Sequence, residues 1–323
     1  MIKKERKIPL IVKQYEALLR RLPIDHPKRE IIEEKLAKYW AGFRGEQSID
    51  YYLSFLDSKK YQILHDVRLP IDEKYVQIDT LILSPNFLIL LEVKNITGTL
   101  FFDQIFHQLI RTKDGEDEAF PDPILQIKRQ QKLLSKWLEK IRIPSIPIEA
   151  FIVISNSSTI IKASPNPKEI SEKVLHAAYL PERIQKSEKK FQQKVLSDKD
   201  LRKISRYVSK QHSLLNYDLL SYFKIKKDEI LTGVQCSVCL SLPMQRQYGK
   251  WYCHKCDSVS KDAHVQALID YSLIFKPTFT NRECREFLHL SSRFITNKLL
   301  KAMDIKFSGT KRKRTYELPV NCE

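Results

Sequence analysis

Three charged residues interrupt the most apolar stretch of the sequence, VQIDTLILSPNFLILLEVKNI at residues 76–96. Two runs rich in Ile and Leu flank Ser84-Pro85-Asn86, a turn signal, so the stretch predicts two buried strands joined by a tight connection. Asp79 lies in the first run, and Glu92 and Lys94 lie in the second. Side chains alternate along a strand, so Glu92 and Lys94 project from the same face. If the strands pair as a hairpin, Asp79 can lie close to Glu92.

Two carboxylates and an ammonium at one point of a sheet suit metal-assisted hydrolysis of a phosphodiester. Carboxylate oxygens are the ligands that Mg²⁺ prefers, which makes Asp79 and Glu92 the candidate ligands for Mg²⁺ or Mn²⁺. A bound metal polarises a phosphoryl oxygen and lowers the pKa of water. Lys94 would orient the attacking water or stabilise the developing charge. The spacing alone leaves a second interpretation open, a structural cluster of ion pairs.

The order Asp79, then Glu92-Val93-Lys94, resembles the D…(D/E)xK signature of the PD-(D/E)xK nuclease superfamily. More narrowly, IDTLILSPNFLILLEVKNITGTL is similar to the nuclease-related domain, NERD, of bacterial proteins. Further matches are Gly45-Glu46, the Asn95 to Gly98 segment, and Pro123 to Gln126 at the start of the next helix. One family feature is missing, because the segment before the Pro-Gln motif, Phe106 to Thr112, contains no Trp. The resemblance covers roughly a third of the chain.

The resemblance implies an α/β (α+β) fold with a central mixed sheet flanked by helices. It also implies that Glu46 and Gln126 support the site. Glu46 is expected in the first turn of a helix over residues 46–56, where a carboxylate could simply favour the helix dipole. Gln126 shares a helix face with Gln130 and could hold a water, although surface glutamines are common. The implied activity is Mg²⁺-dependent hydrolysis of DNA.

Four of the six cysteines form two CxxC pairs separated by thirteen residues. Four thiolates at this spacing predict a tetrahedral structural Zn²⁺ site, with no open position for catalysis. The residues between the pairs predict a hairpin with aromatic packing, so the module resembles a zinc ribbon. A redox dithiol is the competing interpretation. His254 and His264 are spare candidates, but with four cysteines available we expect neither to be a ligand. The predicted zinc ligands are Cys236, Cys239, Cys253 and Cys256.

A helix-turn-helix pattern follows the cysteines. Thr280 and Glu283 form a capping-box pattern at the start of a helix through Leu288, and a second helix is expected over residues 293–303. A basic hairpin over residues 305–318 would serve as a wing, so the segment resembles winged-helix domains. The basic run could equally be a solvated turn. The predicted nucleic-acid contacts are Arg293, Thr296, Asn297 and Lys301 on the helix, and Lys311, Arg312, Lys313 and Arg314 at the wing.

The chain of 323 residues has 56 Lys and Arg against 39 Asp and Glu, a net charge of +17. This excess favours a polyanionic partner, with nucleic acid first and an acidic membrane surface second. The N-terminus lacks the apolar core of a signal peptide, and no apolar run reaches the ~18 residues of a membrane span. CxxC pairs in such a chain favour metal over disulfides, so we expect a cytoplasmic protein.

Five segments are expected along the chain: a helical extension over 1–43, a NERD domain over 44–160, a helical connector over 161–232, a zinc ribbon over 233–262, and a winged-helix-like unit over 263–323. The leading hypothesis is a metal-dependent DNA nuclease that the ribbon and the winged-helix-like unit deliver to its substrate. The alternative is a non-catalytic DNA-binding or regulatory protein that uses the nuclease fold as a scaffold. RNA is a third, weaker possibility for the substrate.

Overall fold

The computed structural model describes residues 2–164, 168–310 and 314–318. The chain folds into two compact units, and each unit is assembled from two separate segments. The first unit comprises Met1–Lys7 with Trp40–Leu214, and the second comprises Ile8–Tyr39 with Leu215–Glu323. None of the helices in the described ranges is long and apolar enough to cross a membrane.

The strands of the first unit form two mixed sheets. In chain order they are β1 (Ile2–Lys4), β2 (Gln62–Ile71), β3 (Lys74–Leu83), β4 (Leu88–Lys94), β5 (Thr99–Asp103), β6 (Gln108–Lys113), β7 (Glu116–Pro121), β8 (Ile148–Ile154), β9 (Ile160–Ala163) and β10 (Val174–His176). The larger sheet has the order β1-β2-β3-β4-β8-β10, and the smaller has the order β7-β6-β5-β9. Strand β4 lies between antiparallel β3 and parallel β8, which confirms the predicted central hairpin.

Helices cover both faces of the larger sheet. In chain order the α-helices of the described residues are α1 (Leu10–Arg21), α2 (Arg29–Ser48), α3 (Asp50–Leu53), α4 (Pro123–Lys140), α5 (Lys168–Lys173), α6 (Leu180–Lys190), α7 (Asp198–Gln211), α8 (Leu219–Phe223), α9 (His264–Ile274), α10 (Asn281–Leu288) and α11 (Arg293–Ala302). Helices α4 and α7 contribute to the core on one face, and α3 and α6 to the core on the other. Strand β4 is buried on both faces, which accounts for its continuous apolar run. The expected mixed α/β fold is confirmed.

Three local expectations for the first unit were wrong. Helix α2 continues to Ser48, so Gly45 and Glu46 lie in its last turns and not at the start of a new helix. The polar, acidic composition of residues 113–122 predicts a loop, but this segment forms most of the β6–β7 hairpin, because Asp114-Gly115 adopts positive φ angles at its turn. The expected helical connector also contains strands β9 and β10, which pair with β5 and β8.

The second unit contains the cysteine pairs and the helix pair. Its strands are β11 (Gln245–Gln247), β12 (Lys250–Tyr252), β13 (Val259–Ser260), β14 (Thr278–Thr280), β15 (Lys306–Ser308) and β16 (Thr315–Glu317). Strands β11 to β13 form one antiparallel sheet, and the other has the order β14-β16-β15. Thr280 caps α10 with the reciprocal hydrogen bonds of a capping box to Glu283, as predicted. The N-terminal helix α1, expected only to pack, lies against α9 in this unit.

Candidate nuclease site

Glu92 is the centre of a hydrogen-bonded cluster on the face of β4 that α4 covers. Lys94 Nζ donates to Glu92 Oε1 at 2.8 Å and to Gln126 Oε1 at 3.1 Å. Gln126 Nε2 donates to Glu92 Oε1 at 2.7 Å, and Gln130 Nε2 donates to Oε2 at 2.8 Å. Asp122 caps α4 with Pro123 at its first turn, as expected, which fixes the helix that carries both glutamines. Three side-chain donors therefore hold this buried carboxylate in one orientation.

Asp79 joins this cluster from the neighbouring strand. Thr80 pairs with Leu91 across β3 and β4, and Asp79 and Glu92 each lie one residue beyond that pair. Asp79 Oδ2 accepts a hydrogen bond from the backbone N–H of Val93 at 2.8 Å. Burial, and then the negative charges of Glu92 and Glu46, raise the pKa of Asp79 well above its ordinary value. The predicted trio of Asp79, Glu92 and Lys94 is therefore brought together.

Glu46 reaches the cluster from the C-terminal turn of α2, where the helix dipole disfavours a carboxylate. Burial raises the pKa of Glu46 to about 7, and the nearby Arg6 opposes this rise. Arg6 Nη1 donates to Glu46 Oε2 at 2.7 Å, and Arg6 Nε and Nη2 bond Asp50. Arg6 Nη2 also contacts Thr80 Oγ1 at 3.1 Å. Arg6 was not among the predicted site residues, because it lies outside the motifs and has no local signal in the sequence.

Gly45 allows α2 to approach the end of β4. A Cβ at this position would lie 2.3 Å from Asn95 Cβ and 3.0 Å from Ser155 Oγ. Asn95 Nδ2 in turn donates to the Ala41 carbonyl at 2.8 Å, and Ser155 N donates to the Lys94 carbonyl at 3.1 Å. In the Gly-Glu motif, Gly45 is thus needed for the close contact between two elements, and Glu46 is a site residue. The spacing in the sequence did not reveal this difference in roles.

We expect Gly45→Ala to destabilise the protein by about 1–3 kcal/mol, because the added methyl forces α2 or Asn95 to shift. Gly42→Ala is the matched control in the same helix, since a Cβ there meets nothing within 4 Å. It should stabilise by up to about 1 kcal/mol through helix propensity. Urea unfolding of both variants checks the pair, and equal stability of the two would contradict the steric argument.

The donor set fits a hard divalent cation. Strands β3 and β4 and helix α2 each contribute one carboxylate to this region. Of the neighbouring cations, Lys94 bonds Glu92 and Arg6 bonds Glu46. Gln130 Oε1 is buried without a hydrogen-bond partner in the described part of the chain, so an oxygen is also left free. Asp79 and Glu92 would hold the metal, with Glu46 behind them.

Comparison with known proteins agrees with this geometry. Residues 41–155 match the nuclease-related domain, NERD. The match spans the Gly-Glu pair, both site strands, the whole of α4 and β8, and it confirms the resemblance expected from the motifs. The nuclease-related domain ends before β9, so α6, α7 and Arg6 lie outside the matched residues.

Two further proteins show similarity to the chain. A Bacillus anthracis protein described as uncharacterized is 25% identical over 126 residues, which are 39% of this chain and 58% of that protein. The crystal structure of protein VC1899 from Vibrio cholerae covers 52% of this chain and 37% of its own, at 11% identity and a TM-score of 0.25. A likeness of that size carries no argument about fold or function.

The four cysteines of the second unit cluster outside the nuclease-related domain. Their sulfurs all lie within 4.8 Å of one another, with Cys236 and Cys256 at 3.6 Å and Cys239 and Cys253 at 3.5 Å. Zinc–sulfur bonds of ~2.3 Å place tetrahedral ligands about 3.8 Å apart, so the cluster is compatible with Zn²⁺. Burial tends to raise the pKa of Cys236, but hydrogen bonds to its sulfur lower it to about 6, which favours the thiolate.

His264 does not join the cysteine cluster. Its Nδ1 accepts a hydrogen bond from Trp251 Nε1 at 3.2 Å, and burial lowers the pKa of His264 to about 4. Trp251 and both buried cysteines belong to one core with α9 and α10. This arrangement agrees with the expectation that His264 is not a ligand.

The predicted contact residues of α11 divide between the surface and the interior. Arg293 and Lys301 are exposed, whereas Asn297 Oδ1 accepts a hydrogen bond from Asn281 at 2.8 Å. Thr296 is fully buried and bonds the Ser292 carbonyl, so its expected exposure was wrong. Lys311, Arg312 and Lys313 lie outside the described residues, and Arg314 stacks over the Phe307 ring at 4.4 Å.

Two exposed residues of α11 were missed. Phe294 is 78% exposed, and Lys298 follows it by four residues, so the pair shares one face with Lys301. Which face of a short amphipathic helix is exposed depends on its packing, and the sequence pattern alone did not decide it. Phe294, Lys298 and Lys301 form the solvent-facing stripe of this helix.

Proposed function

We propose that the nuclease-related domain hydrolyses phosphodiester bonds of DNA with Mg²⁺ or Mn²⁺, and that the second unit binds the DNA. The observation that carries the proposal is the cluster in which Lys94, Gln126 and Gln130 hold Glu92 beside Asp79. Three oriented donors on one buried carboxylate are more than a fold-stabilising ion pair requires, and preorganisation of this kind suits catalysis.

Each residue has a separate role in this proposal. Asp79 and Glu92 would bind the metal, which supplies Lewis-acid activation of the phosphate and of a water when bound. Lys94 Nζ, 2.8 Å from Glu92 Oε1, positions the attacking water and places a positive charge where negative charge develops. Gln126 and Gln130 fix Glu92, and Arg6 keeps Glu46 turned toward the site.

The second unit supplies affinity for the polyanion. The order α9, β14, α10, α11, β15, β16 with the sheet order β14-β16-β15 supports a winged-helix-like module. Its helix α11 would present Arg293, Phe294, Lys298 and Lys301 to the nucleic acid, with Arg314 on the wing strand. The cysteine cluster would hold a structural Zn²⁺. The net charge of +17 favours association with DNA from a distance.

Cleavage of plasmid and linear DNA tests the proposal, with Mg²⁺, Mn²⁺ or no divalent ion added. We expect metal-dependent cutting that falls by about 10²–10³ in Lys94→Ala, because the positioned ammonium is lost. Lys128→Ala is the matched control, since its side chain pairs with Glu169 on the same unit at 2.6 Å and contacts neither Glu92 nor Asp79 in any bond described above. RNA of matched length, used as a competitor, checks the substrate, and preferential cutting of RNA would contradict the DNA assignment.

The non-catalytic alternative is favoured by two observations. Both oxygens of Glu92 already accept hydrogen bonds from side chains. Among the residues that the structure describes, the four cysteines are the group of metal-binding side chains whose ligand atoms all lie within 4.8 Å. If wild type binds DNA and cuts nothing, and Glu92→Ala binds equally well, the nuclease fold serves as a scaffold.

A further inference from the structure

A cavity of about 400 Å³ lies within the second unit. It lies between the sheet of strands β11 to β13, here called the cysteine sheet, and the helix pair α10 and α11. Residues 243–246 at strand β11 form one wall, and residues 289–292 with Ile295 form the other. The lining includes one Arg, one His, two Ser and one Gln, and no carboxylate. Such a lining favours an anion, because nothing in it repels negative charge.

Arg246 is the charged residue of this cavity. It lies opposite Trp251 in the β11–β12 pairing, and its guanidinium stacks over the Trp251 ring at 5.1 Å. Its Nε and Nη1 atoms are buried and have no hydrogen-bond partner among the described residues. A guanidinium stays charged in proteins, so two buried N–H groups without an acceptor are costly unless a ligand supplies one.

The opposite wall adds donors that suit the same ligand. Ser292 is the N-cap of α11, a ten-residue helix whose positive dipole end therefore borders the cavity. Ser291 and His289 come from the turn between the two helices, and His289 Nε2 is held by the Thr232 hydroxyl at 2.7 Å. The next residues, Arg293 and Phe294, are exposed.

We propose that this cavity is a phosphate-binding site in which the Arg246 guanidinium binds a phosphoryl oxyanion at the start of α11. The ligand is either a backbone phosphate of nucleic acid or free phosphate, since both present the same oxygens to the planar N–H fork of an arginine. The site deepens the proposed function of the second unit, and it gives the cysteine sheet a direct part in binding. The Trp251 stack holds the guanidinium in position.

Arg246→Gln tests the site in the full-length, zinc-loaded protein without added Mg²⁺, so that binding is measured apart from cleavage. We expect duplex affinity, measured by fluorescence anisotropy, to fall about tenfold. The slope of log affinity against log salt should fall by about 1, as for one lost phosphate contact. Arg282→Gln is the matched control, because Arg282 is 81% exposed on α10 and pairs with Glu286. It should leave affinity almost unchanged.

Calorimetric titration with inorganic phosphate shows whether the ligand is a backbone phosphate of nucleic acid or free phosphate. Loss of duplex affinity in Arg246→Gln supports a backbone phosphate, and loss of phosphate binding with unchanged duplex affinity supports the free anion. Equal binding of both ligands by the variant and wild type overturns the proposal, as does a wild type that binds neither. A wild type that binds DNA and cuts nothing contradicts the nuclease proposal alone.

A second variant keeps the test valid if Arg246→Gln loses its zinc. Gln245→Glu places a carboxylate in the cavity lining and leaves the Arg246–Trp251 stack intact. We expect it to weaken binding of the phosphoryl ligand, whereas Gln245→Ala should bind as wild type does. If Gln245→Glu binds as tightly as Gln245→Ala, the cavity does not hold the anion.

Discussion

Asp79→Asn is expected to stabilise the protein in the absence of Mg²⁺ and to lower cleavage by about 10²–10³. The stability gain follows from the raised pKa of Asp79, because burial and the charges of Glu92 and Glu46 disfavour its ionised form. Asparagine keeps an oxygen that can accept the Val93 N–H and removes the charge. Each kcal/mol of repulsion that is relieved should raise Tm by about 2–4 °C.

The raised pKa of Asp79 also determines how the stability of the protein depends on pH. The unfolded chain releases the Asp79 proton near the ordinary value of 3.8, and the folded chain holds it to higher pH. The contribution of protonated Asp79 to the free energy of unfolding is therefore complete below pH 3.8. This contribution is lost as pH rises through the raised pKa of the folded state. Thermal unfolding at pH values rising from 3.8 should show the difference in Tm between Asp79→Asn and wild type widening as pH approaches the raised folded pKa.

Glu92→Gln is the control, because we expect it to give no gain in stability. Glu92 accepts hydrogen bonds from Lys94, Gln126 and Gln130, so its charge is compensated, and an amide would oppose some of these donors. We expect Glu92→Gln to be no more stable than wild type, although it also loses cleavage. Added Mg²⁺ should stabilise wild type more than either variant, because a ligand stabilises the state that binds it. Asp79→Asn that is less stable than wild type without Mg²⁺ would contradict the account.

Asp270→Ala is expected to destabilise the second unit by about 3–5 kcal/mol, because it leaves a buried charge unpaired. Asp270 and Arg21 are both fully buried, and Arg21 Nε donates to Asp270 Oδ2 at 2.8 Å. Arg20 Nη2 donates to the other carboxylate oxygen at 2.7 Å. Arg21 also donates to the Gly233 carbonyl and lies over the Phe287 ring, so it cannot turn to solvent without losing both contacts.

Hydrogen exchange over α1 and α9 measures this effect within the second unit, where whole-chain unfolding need not be two-state. Glu286→Ala is the matched control, because the Arg282–Glu286 pair is exposed and such pairs contribute about 0–1 kcal/mol. We expect faster hydrogen exchange in Asp270→Ala and unchanged exchange in Glu286→Ala. Unchanged protection of both helices would show that the buried pair does not hold α1 in place.

The central hairpin was predictable because charges inside an apolar run are rare. Asp79, Glu92 and Lys94 stand out in the sequence for that reason, and alternation along a strand already assigns Glu92 and Lys94 to one face. Strand β7 was not predictable in the same way. Five of its six residues are exposed and three are acidic, so it has no alternating apolar pattern, and only the Asp114-Gly115 turn indicates a hairpin.

Residues whose partners are distant in sequence were missed. Arg6 contacts Glu46 and Thr80, 40 and 74 residues away, and nothing near Arg6 in the sequence indicates this. The helix expected over residues 46–56 began too early for a related reason, because the close approach of Gly45 to Asn95, which lets α2 continue to Ser48, is a contact between distant residues. Thr296 was assigned to the wrong face because the burial of a helix face depends on packing.

The interleaving of the two units affects how the chain folds during synthesis. Arg21 and Asp270 are 249 residues apart, so at about 5–20 residues per second α1 waits roughly 12–50 s for its partner to be made. Residues 40–214 of the first unit emerge in that interval and can fold first. Until synthesis reaches α9, the apolar face of α1 has no core to join, and ribosome-associated chaperones are the factors that would shield it.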